Sequence, residues 1–519
     1  MIRKPLLASV RPGTQTSRPF PLPPPVGGWN TRDPLAGMPA TDAVLLDNFF
    51  PSATEVTLRK GATDWVTGFA SPPLTLMPWN GQSSSKLFAA AANGIFNVTI
   101  TGAVGAAVSA CTAGYYSWCN TTTAGGHYLV AVNGTNKLKL YNGAAWADID
   151  GVSVPAITGL ATTSLRTVTL AANRLWFTEN TSMSAWYLPV GAIAGALTEF
   201  PLGSIFGRGG KLINIATWTL DGGNGSDDLT VFFSSEGEVA VYSGTDPAFA
   251  ATWRKIGVYY IGEPVGRNCY TKYGGDLLVL CQNGLTPLSK ALQTATIDRS
   301  QALTAKIDPT FTQVLSTYAA NPGWQVIAYP QGSFLLANVP ITTSYTHQYV
   351  MNSITKAWCR FTGWNVTALE VFGSDLFGTT QTTVAKLWTG VSDYGTAIDG
   401  KVQQAYNYLG SRGRQKQLKL VRPIITIDNS VTLKIGVDTD FAVSTFTSIT
   451  TPSATIGYTW DTARWDTVTW AASAEVNRDW ASVFAFPCYA AALRLQVSTA
   501  SATLSWTATD IIHEPAGLF

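Results

Sequence analysis

Between residues 62 and 400 one unit keeps returning: an apolar run, a polar or glycine turn, and a second apolar run. Leu87-Phe88-Ala89-Ala90 precedes Asn93-Gly94 and Ile95-Phe96, and Tyr128 to Val132 precedes Asn133-Gly134 and Leu138 to Tyr141. Further units begin at Leu175, Leu229, Leu277, Phe334 and Leu376. Asn-Gly, which also occurs at Asn283-Gly284, is the dipeptide that tight hairpin turns favour, because both turn positions need a left-handed backbone. The units share pattern rather than letters, and their spacing is a loose period in the forties to fifties. One four-stranded blade per repeat fits that period. A string of sandwiches would give hairpins without a steady period. The expectation is an all-β chain with a β-propeller of about six to eight blades over 62–400.

The flanks read differently. Residues 401–519 alternate apolar and polar positions at Val431 to Asp438, Leu493 to Val497 and Leu504 to Thr507, as half-buried antiparallel strands do. Trp460, Trp465, Trp470 and Trp480 fall between them. A C-terminal β-sandwich-like domain is expected, or strands that complete the propeller. Residues 1–26 carry Arg3, Lys4, Arg11 and Arg18, no acid, and the run Pro19 to Pro25. That density of proline favours an extended arm, either a free tail or a segment lying on a neighbouring subunit. Residues 289–307 break the β pattern and place Ala302, Leu303 and Ile307 on one helical face, so a helix is expected there. Charged residues make up only 13% of the chain and there are 18 Trp. That balance favours sheet over solvated helix, and partner-covered surface. A net charge of +2 does not suit a surface that grips nucleic acid throughout. Cys111, Cys119, Cys269, Cys281, Cys359 and Cys488 match no zinc spacing and read as free, mostly buried thiols made in a reducing cytoplasm, with a Cys111–Cys119 pair as the alternative. The start MIRKPLLASVRPG is too short in apolar residues for a signal-peptide core, and no membrane span is indicated.

Residues 27–61 read GGWNTRDPLAGMPATDAVLLDNFFPSATEVTLRKG. Thr41 and Asp42 are N-cap types before Ala43 to Leu46, which predicts one short helical turn, and Val56 to Gly61 has the strand period. The segment, arriving after a proline-rich arm and before a long series of short strands, resembles the N-terminal region of the tail nozzle, or tail tubular protein B-like, family of short-tailed bacteriophages (podoviruses). The resemblance rests on Gly27, Gly28, Asn30, Arg32, Met38, Ala43, Leu46, Asn48, Pro51, Val56 and Arg59-Lys60-Gly61, and is clear over about 35 residues. It implies a virion structural protein on a β-propeller, typically a hexamer, at the distal end of the tail. Its implied partners are copies of itself, an adaptor ring, tail fibres or spikes, and double-stranded DNA passing without sequence specificity. On that reading Trp29, Asn30, Phe49 and Phe50 are subunit or adaptor contacts, and the organisation is 1–61 arm and docking segment, 62–400 propeller, 401–519 C-terminal β domain.

No constellation carries covalent chemistry. His127, His347 and His513 sit in no ligand pattern, and there is no GxSxG elbow. Gly207-Arg208-Gly209-Gly210-Lys211 lacks the spacing and the Ser or Thr of a phosphate loop. The acidic, glycine-rich stretch Asp221 to Asp228 lacks the spacing of a calcium loop. No cofactor, metal or catalytic residue is therefore assigned, and the chain is read as a non-enzyme. The alternative is a carbohydrate-binding or carbohydrate-cleaving propeller acting in receptor binding, with Asp276, Asp375 and Asp393 as the type of residue it would use. The basic cluster Arg412, Arg414, Lys416, Lys419 and Arg422 has no acid between its members. Extended, Arg412, Arg414 and Lys416 share one face, suited to DNA phosphates or a neighbouring subunit. A charge-guarded edge strand has the same composition.

Overall fold

The computed structural model describes residues 18–221, 226–290, 299–450, 475–476, 479–483 and 487–516. The chain is mostly β. Seven sheets, each with a core of three or four consecutive antiparallel strands, follow one another in sequence. Sheet 1 is Pro73–Asn80, Ser85–Ala91 and Gly94–Asn97. Sheet 2 is Ser117–Thr123, Gly126–Val132, Leu138–Tyr141 and Trp146–Ile149. Sheet 3 is Leu165–Ala171, Arg174–Glu179, Ser184–Tyr187 and Thr198–Pro201. Sheet 4 is Leu212–Asp221, Ser226–Ser234, Glu238–Gly244 and Trp253–Tyr260. Sheet 5 is Tyr270–Tyr273, Asp276–Cys281 and Gly284–Pro287. Sheet 6 opens with Gln325–Tyr329, Phe334–Pro340, Thr346–Asn352 and Trp358–Thr362. Sheet 7 is Ala368–Phe372, Asp375–Thr379 and Thr383–Leu387, and Ala62–Thr67 pairs antiparallel with its third strand. Each of the seven sequence units falls on the second strand of a sheet.

Neighbouring sheets bury apolar faces against each other. Val66, Phe377 and Val384 of sheet 7 share a core with Leu76 and Leu87 of sheet 1. Met77 and Phe88 of sheet 1 pack with Leu129 and Tyr141 of sheet 2. Val130 and Leu140 meet Val168 and Phe177 of sheet 3. Trp176 and Tyr187 meet Phe232 and Trp253 of sheet 4, with the Trp176 and Trp253 rings stacked at 5.7 Å. Val231 and Val241 meet Leu277 and Val279 of sheet 5, and Leu278 and Leu280 join sheets 6 and 7 in the largest core. The last sheet thus packs on the first. Burying both faces of every sheet is what makes these strands read as nearly continuous apolar runs.

Sheet 6 does not end at Trp358–Thr362. It continues through Asp42–Asp47, Ile398–Gln404, Ala491–Thr499, Thr432–Thr439 and Thr447–Thr450. A further sheet pairs Gln415–Ile427 with Leu504–Ala516, which also takes Arg18–Leu22 and Val56–Leu58; Val56–Leu58 carries Phe49–Pro51. Leu433, Leu495, Ile425 and Trp506 of these two sheets lie in one core. Strands from both ends of the chain therefore build the C-terminal layers, and Ile398–Gln404 runs across the boundary expected at 400.

Three local expectations are corrected. Ala43 to Leu46 form strand rather than a helical turn, because Asp42–Asp47 finds backbone partners in Gly28–Trp29 and Ile398–Gln404. The Asp42 side chain takes Asn30 and Lys306 instead of capping a helix. The break in the β pattern expected over 289–307 is present but is not one continuous helix: residues 288–290 are helical, Arg299–Gln301 and Leu303–Ile307 are 3-10 turns, and a regular helix follows at Asp308–Tyr318, with Pro309 in its first turn. Residues 291–298 lie outside the described residues. Part of the proline-rich arm is strand: Arg18–Leu22 lies on Leu504–Ala516 of its own chain. Pro19 and Pro21 are tolerated because this is an edge strand, where a missing N–H costs no ladder bond on the outer side. Among the described residues no helix is long and apolar enough to cross a membrane.

Candidate functional site

The segment 27–61 is the joint between the series of seven sheets and the terminal layers. Gly28 has φ +81°, and a Cβ there would sit 2.6 Å from the Trp358 carbonyl oxygen, so only glycine fits. A Cβ on Gly61 would lie 1.9 Å from the Ser392 carbonyl oxygen. The buried Asn30 amide donates to Asp33 and Asp42 at 2.9 and 2.8 Å, and its oxygen accepts from the Arg32 and Asp33 amides at 3.0 Å each. Lys306 then closes on Asp42 and the Gly27 carbonyl, each at 2.7 Å.

Asn48 adopts φ 58°, a left-handed conformation that asparagine tolerates better than most residues. Its amide donates to Thr362 Oγ1 and the Asp399 carbonyl at 2.9 Å each, and its oxygen accepts from Arg59 Nε and the Thr362 amide at 2.8 Å each. The Arg59 side chain is fully buried. It forms a two-pronged pair with Asp393 at 2.8 and 2.5 Å, donates to the Lys60 and Thr362 carbonyls, and lies over the Phe361 and Trp364 rings. Arg360 grips Asp47 with two 2.7 Å bonds alongside.

The four residues expected to meet a neighbouring subunit or adaptor all sit in this joint. Trp29 donates from its indole nitrogen to the Val44 carbonyl at 3.1 Å and meets Tyr349 edge-on. Phe50 packs among Phe334, Phe361 and Trp388. Trp29, Asn30, Phe49 and Phe50 are all buried within the chain's own core.

The basic cluster is dispersed. Arg412 and Arg414 lie in a turn before the strand Gln415–Ile427. Lys416 points inward: it is 3% exposed and donates to the Ser411 and Tyr489 carbonyls. Lys419 is exposed and faces Glu514 at 3.4 Å, and Arg422 pairs with Asp510 at 2.6 Å and lies over Trp480. The shared face expected for Arg412, Arg414 and Lys416 does not form, because the turn reverses before the strand begins. The acids missing from the local sequence come from Leu504–Ala516, which no reading of 412–422 alone reveals.

The other candidates have structural employment. Asp276 accepts from the Ser289 hydroxyl and amide, Asp375 pairs with Lys386 at 2.6 Å, and Asp393 is the partner of Arg59. The Gly207 and Arg208 amides point at the Glu238 carboxylate, at 3.2 and 2.8 Å. All six cysteines are free. Among the described residues no group of three or more His, Cys, Asp or Glu is placed to hold a metal. Residues 222–225 of the acidic stretch, and Trp460, Trp465 and Trp470, lie outside the described residues.

Sequence reasoning missed a cavity of about 400 Å³. Thr75, Tyr116, Arg166 and Ile213 line it from the starts of the first strands of sheets 1 to 4. Arg267, Gln325 and Ala368 do so from sheets 5 to 7. One cavity is therefore reached by the same end of all seven sheets. Its signal in the sequence is only the two arginines, each just before or within an apolar strand.

No family model and no curated protein matches the chain. Among solved structures, it is similar to the extracellular domain of a putative hybrid two-component system from B. thetaiotaomicron, at 9% identity and TM-score 0.42, covering 80% of this chain and 55% of that one. The β-propeller domain of Myceliophteria thermophila Cps50 (Swd1) is 13% identical with TM-score 0.38, over 62% and 98% of the two chains. BBS1N, crystallised with ARL6DN, is 11% identical with TM-score 0.37, over 63% and 97%. The chain thus resembles β-propeller domains at low identity, and at these scores the likeness says nothing about function.

Proposed function

We propose that the chain is a subunit of the ring-shaped nozzle at the distal end of a short phage tail, built on a seven-bladed propeller. One observation carries the reading. The residues that make 27–61 resemble the nozzle family are those the joint requires: Gly28 and Gly61 where a Cβ collides, Asn48 at positive φ, Arg59 in a buried pair, and Asn30 with every polar atom engaged. A pattern tied to such structural demands supports reading the resemblance as one of architecture rather than of composition. The blades are the seven sheets, and the strand Ala62–Thr67 closes the last of them with residues from the start of the chain.

The function follows as mechanical work. A blade ring with dry interfaces is a rigid wall, and the terminal layers bind it to the rest of the tail. The cavity of about 400 Å³ is of small-molecule size, too narrow for a DNA duplex, so DNA passes along the lumen formed by several copies and not through one propeller. No bond is made or broken by the chain. The carbohydrate alternative gains no support from Asp276, Asp375 and Asp393, which each make structural contacts within the chain rather than converging on one site.

Negative-stain microscopy and sedimentation of the purified chain, alone and with its adaptor ring, test this reading. Rings of uniform copy number are expected in at least one of the two samples. A monomer in both contradicts it.

A further inference from the structure

Arg166 and Arg267 enter the cavity from sheets 3 and 5. Neither has a carboxylate within ion-pair distance among the described residues. Arg267 is half-buried and held by one hydrogen bond from Nη1 to the Tyr115 carbonyl at 2.5 Å, which leaves the rest of its fork free. Asn214 fixes the backbone at this point by donating to the Arg267 carbonyl at 2.8 Å. Burial, and then the charge of Arg166, hold the Arg267 guanidinium down at about 10, so it remains a cation at neutral pH. The two acids adjacent in sequence to lining residues are engaged elsewhere: Glu236 accepts from Ser235 Oγ and Glu263 from Gln282 Nε2 at 2.6 Å, and neither is paired with either arginine. Elsewhere in this chain half-buried or buried arginines are matched: Arg59 with Asp393, Arg174 with Asp246, Arg360 with Asp47, Arg494 with Asp438. Two half-buried guanidinium groups that repel one another across one partly open cavity are stabilised by an anion that joins them.

We propose that the cavity shared by the seven sheets is a binding site for a small oxyanion, a phosphate or carboxylate group held between Arg166 and Arg267. The planar fork of arginine matches either group through two parallel N–H···O bonds. Asn268 also lines the cavity and offers an exposed amide, whereas the Gln325 amide beside it is engaged at both ends by the Leu369 backbone. The volume of about 400 Å³ admits a metabolite-sized ligand, well beyond a bare ion. Binding there ties sheets 3 and 5 across the ring and stabilises the fold by mass action.

The test is calorimetric titration of the purified full chain with inorganic phosphate and, separately, with citrate, alongside thermal melts in each. Saturable binding of one equivalent and a raised Tm are expected for at least one of the two, and the tighter one identifies the source of the oxyanion. Arg166→Gln, whose side chain makes no hydrogen bond within the described structure, is expected to lose at least tenfold in affinity. Arg267→Gln is expected to lose as much, Arg267→Lys less, and Arg414→Gln, at a distant turn, nothing. Absence of saturable binding by both probes overturns the proposal, as does binding that survives Arg166→Gln unchanged. The assay uses the single chain, so its failure leaves the nozzle reading untouched, and failure to form rings leaves the site untouched.

Discussion

Arg59 is a fully buried cation whose charge is answered by a single carboxylate, Asp393, 334 residues away in sequence. Breaking such a pair from one side strands the other charge, at a cost of about 3–5 kcal/mol. Asp393→Asn and Arg59→Met are each expected to lose stability of that order in denaturant unfolding, while the double variant Arg59→Met/Asp393→Leu recovers part of the loss. If the double variant loses the sum of the two singles, the pair is not coupled as described. His347 gives a second check. Burial, with the Arg360 charge adding to it, pushes its imidazole down to about 4. Between that value and its ordinary 6.5 the unfolded chain binds a proton that the folded chain does not. Its contribution is therefore fully present above about pH 6.5 and is lost as pH falls towards 4. His347→Gln is expected to flatten the pH dependence of stability in that window; an unchanged slope refutes the assignment.

At the scale of elements, the seven hairpins were legible because period-two and continuous apolar runs ending in Asn-Gly or glycine turns have few other uses. The strand Asp42–Asp47 was not, because an N-cap residue followed by apolar residues reads equally well as a helix start. Only its distant partners Ile398–Gln404 decide the matter. The basic cluster failed for the same reason: Glu514 and Asp510 arrive from a strand nearly a hundred residues on. The helix Asp308–Tyr318 was signalled by Pro309 in its first turn and by Phe311 and Leu315 on one face, beyond the window that was read as helical. The joint's residues were legible as a set: on composition alone the segment reads as an irregular stretch whose aromatics pin it to a neighbouring β domain, and Trp29, Phe49 and Phe50 are buried in that manner. Sheet 7 makes its own prediction, since Ala62–Thr67 and Thr383–Leu387 come from opposite parts of the chain. A protease site inserted beside Val152, 89% exposed between the second and third sheets, should give two fragments that still elute together without denaturant. Fragments that separate would show that the closing strand contributes little.

For the whole molecule, the seventh sheet packs on the first, and segments from both ends of the chain meet strand by strand: Arg18–Leu22 and Val56–Leu58 both lie on Leu504–Ala516. Such an arrangement suits repeated copies around a lumen. Its low content of charge fits surface covered by neighbours, as interface cores are depleted in charge. The central claim is a place in a virion. Electron microscopy of short-tailed phage particles from the source of this chain, labelled with gold-tagged antibody against it, tests that claim most directly. The account predicts gold confined to the tip of the tail. Gold on fibres, or particles without gold while the chain is found free, would contradict it.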